Sequence, residues 1–137
     1  MSKLHILALR ALRPDAQRGF YRRVLGMATQ DSGGLGYSDR EMNLRFVQSE
    51  TSYRPQPSDL YWKIAVSVPN IELAYQQLVA RGARVSVPHQ FRDVGYLAHV
   101  TDPEGFTVEL IEHWFQGDRP SQSVDKTLLG GGRTSVC

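Results

Sequence analysis

The sequence predicts an α+β fold of two tandem βαβββ units, and three observations predict it. Strand-like and helix-like periods follow each other in the same order twice, a glycine closes each helical run, and the Ser- and Pro-rich break ETSYRPQPSD separates the two runs. Each unit alone is too small to bury a core, so pairing is the expected arrangement.

In the first unit, LHILALRAL reads as a strand. Pro14-Asp15 then opens a helix through Phe20, Tyr21, Val24 and Leu25, which Gly26 closes as a C-cap. MATQDS, a Gly33-Gly34 turn, LGYSDR and MNLRFVQSE follow as short strands with turns between them. The second unit begins with YWKIAVSV, residues 61–68. Trp62, Ile64, Val66 and Val68 alternate with Tyr61, Lys63, Ala65 and Ser67, so one face is committed to a core and Lys63 sits on the other. Asn70 is the expected N-cap of a helix carrying Ile71, Ala74, Tyr75, Leu78 and Val79 on one face, and Gly82 closes it. ARVSVP, GYLAHVT and FTVELIEHW complete the strands. DPEG at 102–105 is a β-turn sequence that makes the last two a hairpin. Gly26 with Gly82, His5 with Lys63, and Arg45 with Glu109 stand at offsets that agree to within a few loop residues, as an internal duplication requires.

Composition excludes several function classes. With 16 basic against 14 acidic residues scattered through the chain, no basic stripe argues for nucleic acid. MSKLHILALR lacks a signal-peptide pattern and no run approaches membrane-span length, so a soluble cytoplasmic protein is expected. The one cysteine, Cys137, allows neither an internal disulfide nor a multi-cysteine zinc site. Phosphate loops, GxSxG elbows and HExxH motifs are missing from the sequence. The expected organisation is a domain over 1–116, with module one about 3–50 and module two about 60–114, followed by a flexible or docked tail over 117–137.

FYRRVLGM at 20–27, KIAVSVPNIELAYQQLVARGARV at 63–85 and DPEGFTVELIE at 102–112 resemble the vicinal oxygen chelate superfamily, which includes glyoxalase I, extradiol dioxygenases and bleomycin-resistance proteins. The resemblance implies curved mixed sheets enclosing a cavity, often completed by a homodimer partner. It also implies four metal-ligand positions on the first and last strands of the two modules. These positions fall on His5, Arg45, Lys63 and Glu109.

An ammonium or guanidinium group has no lone pair to offer a metal, so Lys63 and Arg45 leave His5 and Glu109 as the only ligands of such a set. The expected protein is therefore a small-molecule binder or metal-independent enzyme with no cofactor. In that reading Lys63 and Arg45 bind an anionic or polar ligand, Tyr61 and Tyr96 wall the cavity, and Glu109 or His5 transfers protons. One alternative is a lyase or isomerase of glyoxalase I type using zinc, nickel, manganese or iron held by His5 and Glu109. The other is a non-catalytic scaffold whose cavity is closed by ion pairs, Lys63 with Glu109 above all. A two-residue hairpin loop pairs Ala98 with Glu109, which places Tyr96 beside Glu109 and turns His99 to the helix side as a packing residue. His89, His113 and the Arg22-Arg23 pair read as surface.

Overall fold

The computed structural model describes residues 2–51, 55–59 and 62–113. The chain divides into two compact units, one of Met1–Asp59 with Asp102–Phe106 and the other of Leu60–Thr101 with Thr107–Cys137. Each holds a four-stranded mixed sheet with helical segments, as an α+β duplication predicts.

In the first unit, β1 (Ile6–Ala11) pairs in parallel with β4 (Asn43–Gln48), and β3 (Leu35–Gly36) and β2 (Ala28–Thr29) extend the sheet in the order β1-β4-β3-β2. Leu44, Phe46 and Ala11 are buried, whereas Ala8, Arg10, Arg45 and Val47 on the opposite face are exposed. The buried face meets α1 (Pro14–Gly19), which continues as a π-helical turn over Phe20–Val24. The ring of Tyr21 packs on that of Phe46 at 4.9 Å between centroids. Proline suits the first turn because its missing N–H would have no partner there.

The buried carboxylate of Asp102 organises this unit. One of its oxygens accepts from the Gln17 amide and the Tyr21 hydroxyl, each at 2.9 Å. The other accepts from the backbone N–H groups of Glu104 and Phe106. The Glu104 carboxylate in turn accepts from the N–H groups of Leu12 and Arg13, just ahead of α1, where no side chain of the preceding segment caps the helix.

In the second unit the sheet order is β5-β8-β7-β6, from β5 (Lys63–Ser67), β8 (Thr107–His113), β7 (Gly95–Thr101) and β6 (His89–Phe91). The parallel β5–β8 pair carries Ile64, Val66, Val108 and Leu110 on the face that packs against α2 (Ile71–Ala80). Asn70 caps α2 through the Leu73 N–H, and Glu112 accepts from the Ile71 N–H, so two of the helix's orphan donors find an acceptor. The expected strand ARVSVP is reduced to a single bridge, Val85 to Val100, and the third strand forms at His89–Phe91 instead.

The hairpin differs from expectation by one residue. Gly105 donates to the Asp102 carbonyl and takes φ +92°, and the Asp102 N–H donates to the Phe106 carbonyl, so the loop has three residues rather than two. A type I turn followed by a left-handed glycine adds one position to the strand, and a one-residue shift turns every side chain over. Thr101 accordingly pairs with Thr107, His99 with Glu109, and Ala98 with Leu110. Tyr96 therefore lies on the helix side, 8% exposed, and is not a neighbour of Glu109. His99 is that neighbour.

Trp62 also departs from its expected place. It precedes β5 and is 75% exposed rather than committed to the core. Its ring lies under the Lys63 ammonium, 3.6 Å from centroid to Nζ. Adjacent side chains of a regular strand point to opposite faces, so this contact requires the strand alternation to end at Lys63.

Candidate functional site

Chemistry in the second unit concentrates on the face of the sheet turned away from α2. Strand alternation brings Lys63, Ala65 and Ser67 of β5, Leu97 and His99 of β7, and Thr107, Glu109 and Ile111 of β8 to that face. Glu109 is central and 9% exposed. Its Oε2 accepts a hydrogen bond from Lys63 Nζ at 3.0 Å and lies 3.2 Å from His99 Nε2. Burial of a carboxylate demands such partners, and here one of them carries a full positive charge.

The supporting structure fixes two of the three residues from behind. His99 donates its backbone N–H to Ser86 Oγ and receives the Ser86 N–H on its carbonyl, both at 2.9 Å. Lys63 is held between Glu109 and the Trp62 ring, a cation–π contact. His99 keeps 35% of its side chain exposed, and the ring of His89 lies 6.4 Å away. The cluster thus offers an ammonium with N–H groups to spare and the second nitrogen of an imidazole, beside the open positions Ala65 and Ser67.

Of the residues expected at the site, Lys63 and Glu109 are brought together. Tyr61 lies outside the described residues, as does the tail over 117–137. Arg45 belongs to the first unit, on the exposed face of β4 opposite Ala8. His5 is exposed ahead of β1, where its carbonyl accepts from the Asn43 N–H. With Arg45 taken as the counterpart of Glu109, it stands one residue out of step with Lys63. Ala8 pairs with Arg45 as Ala65 pairs with Glu109, so the counterpart of Lys63 in the first unit is Ile6. His99 was legible in one signal only: glycine at the fourth place of DPEG favours the three-residue loop that turns His99 toward Glu109.

A sequence profile described as the glyoxalase/bleomycin resistance protein/dioxygenase superfamily matches residues 3–110. The chain belongs to this superfamily. Solved structures agree in fold. A superfamily member from Sphaerobacter thermophilus is 16% identical with a TM-score of 0.64, covering 82% of this chain and 98% of its own. A lactoylglutathione lyase from Agrobacterium tumefaciens is 21% identical with a TM-score of 0.58, covering 82% and 94%. An antibiotic binding protein from Streptomyces is 17% identical with a TM-score of 0.58, covering 82% and 97%. No curated protein matches the chain in sequence.

For this superfamily member the donor set does not suit a divalent metal. The four positions hold His5, Arg45, Lys63 and Glu109, and of these only His5 and Glu109 have a lone pair to give. One Glu109 oxygen, Oε2, already accepts from the Lys63 ammonium, whose charge repels a cation. Among the described residues no three His, Cys, Asp or Glu side chains gather closely enough to hold a metal ion. No described helix is long and apolar enough to cross a membrane.

Proposed function

We propose that this superfamily member is a metal-independent small-molecule-binding protein whose polar recognition group is the Lys63–Glu109–His99 cluster. The observation that carries the reading is the Lys63 ammonium bonded to Glu109 Oε2 at the last-strand position, where a metal-dependent member needs a free carboxylate. The cluster's unspent N–H groups suit a carbonyl, hydroxyl or carboxylate of a small ligand. An ion pair that merely plugged the fold would need no exposed imidazole beside it, yet His99 is half open and Ala65 and Ser67 are uncovered. An antibiotic binding protein of the same fold gives precedent for binding as an end in itself, and a lactoylglutathione lyase of that fold gives the contrasting case.

The test is elemental analysis of the purified protein, then titration with nickel, zinc, manganese and iron(II). A thermal-shift screen of small polar metabolites on the wild type, Lys63→Gln and His99→Gln completes it. We expect no retained metal and at least one compound that raises the wild-type melting temperature but not that of either variant. Near-stoichiometric metal in the wild type overturns the reading in favour of a lyase or isomerase. A screen in which the variants respond as the wild type does removes the cluster from binding.

A further inference from the structure

We propose that Lys63 is a covalent site, whose amine condenses with the carbonyl group of a small aldehyde to give a protonated imine. The inference rests on the Lys63–Glu109–His99 reading above and deepens it by naming the class of ligand and the bond that holds it.

The two lysines among the described residues have different surroundings. Lys3 is exposed and donates to the backbone carbonyl of Asp39, a group that does not take up its proton. Lys63 keeps only 16% of its side chain exposed and donates to Glu109 Oε2 at 3.0 Å. A carboxylate at that distance can accept the proton along the existing hydrogen bond without a heavy atom moving, and losing that proton is what turns an ammonium into a nucleophile. The same oxygen lies 3.2 Å from Nε2 of His99, whose side chain is partly open to water, so the proton also has a route outward.

The step balances within the cluster. Glu109 takes one proton from Lys63, and the freed electron pair attacks the carbonyl carbon. The C–N bond forms, the C=O π pair moves to oxygen, and Glu109 returns the proton to that oxygen. Glu109 then takes a second proton from nitrogen and passes it to the new hydroxyl, which leaves as water while the nitrogen lone pair closes the C=N bond. The carbonyl oxygen and two of the three ammonium hydrogens depart as one water molecule. Nothing is oxidised or reduced, and Glu109 ends as it began.

The product is a cation standing where a cation stood. Its nitrogen keeps one N–H for Glu109 and a positive charge for the Trp62 ring, whose centroid lies 3.6 Å from Nζ, so the contacts that hold the ammonium also suit the iminium. The same confinement selects the ligand. With Nζ shared between an indole ring and a carboxylate, a carbonyl that bears hydrogen on one side crowds it least, which favours an aldehyde over a ketone. Ala65 and Ser67, the next residues along the same face of β5, are small and exposed and leave room for the substituent.

The experiment is reductive trapping of the full chain with sodium cyanoborohydride at neutral pH, with propionaldehyde or glyoxylate as the carbonyl compound. Peptide mass spectrometry maps the modified lysines in the wild type, Lys63→Arg, Glu109→Gln and His99→Gln, after circular dichroism has checked that each variant folds. Lys3 is the internal reference for an ordinary surface amine. Lys63 is expected to react about tenfold faster than Lys3 with at least one aldehyde, a preference that Glu109→Gln abolishes and His99→Gln reduces about threefold. In Lys63→Arg the reaction at Lys3 continues and position 63 stays unmodified. Faster trapping of glyoxylate assigns an anionic aldehyde, and faster trapping of propionaldehyde a neutral one. A wild-type Lys63 that reacts no faster than Lys3 overturns the proposal whether or not any variant folds. A preference that survives in folded Glu109→Gln overturns it too, because the carboxylate then is not the proton acceptor. Either failure leaves non-covalent binding by the cluster to the thermal-shift screen, whereas near-stoichiometric metal in the wild type removes that reading and this one together.

Discussion

Among the described residues each unit buries one carboxylate, and the two are satisfied in opposite ways. Asp102, 4% exposed, accepts four hydrogen bonds from neutral donors: an amide, a phenol and two backbone N–H groups. Glu109, 9% exposed, rests one oxygen on an ammonium and an imidazole. Asp102 itself uses both oxygens on groups of the turn and helix, although its partner Gln17 keeps a buried Oε1 that makes no hydrogen bond. The partners of Glu109 are only half used. Saturation by neutral donors marks a structural acid, and sharing between an under-used ammonium and a partly exposed imidazole marks one with chemistry available.

This contrast can be broken most severely at Asp102. Replacing it in Asp102→Asn puts an amide NH2 against two donors on one side or the other, and chemical denaturation should show a loss of about 3 kcal/mol. Glu109→Gln should cost less, about 2 kcal/mol, because Lys63 keeps the Trp62 ring and some contact with water when its counter-charge goes. Tyr21→Phe removes one of Asp102's four donors while keeping the ring on Phe46, and about 1 kcal/mol is expected from the same measurement. His99→Gln is the mildest. With the side chain partly exposed, its effect on the denaturation midpoint should stay within about 0.5 kcal/mol, yet it should abolish the ligand-induced thermal shift. If His99→Gln destabilises as much as Glu109→Gln, the cluster is a brace and the contrast with Asp102 disappears.

Both helix starts and both glycine closures could be read from the chain because each rests on local chemistry. Asn70 is a cap with an acceptor side chain, and Gly26 and Gly82 take positive φ where such residues end helices. Lys63 and Glu109 were likewise legible, since alternation in VSV and VEL fixes their common face without reference to loop length. Tyr96 and His99 were misplaced together because their facing depends on the loop, which periodicity does not report. His5 stands just ahead of β1, whose apolar residues on both faces give alternation little purchase. Trp62 escaped its expected face because the strand begins at Lys63, and strand ends are decided by tertiary contacts rather than by residue preference. The third strand of the second unit formed at His89–Phe91 rather than at the valine-rich ARVSVP, since partner availability along β7 outweighed propensity.

The left-handed glycine in the 102–106 loop makes loop length a selector of side-chain identity. With three loop residues the strand presents histidine to Glu109, and with two it would present alanine in that place and swing tyrosine to the same face. A lineage that gained or lost one residue here would exchange an imidazole for a phenol at the heart of the second sheet with every strand residue unaltered. Indel events in this turn, more than point changes in β7, are therefore where relatives of this chain are expected to diverge in what they recognise.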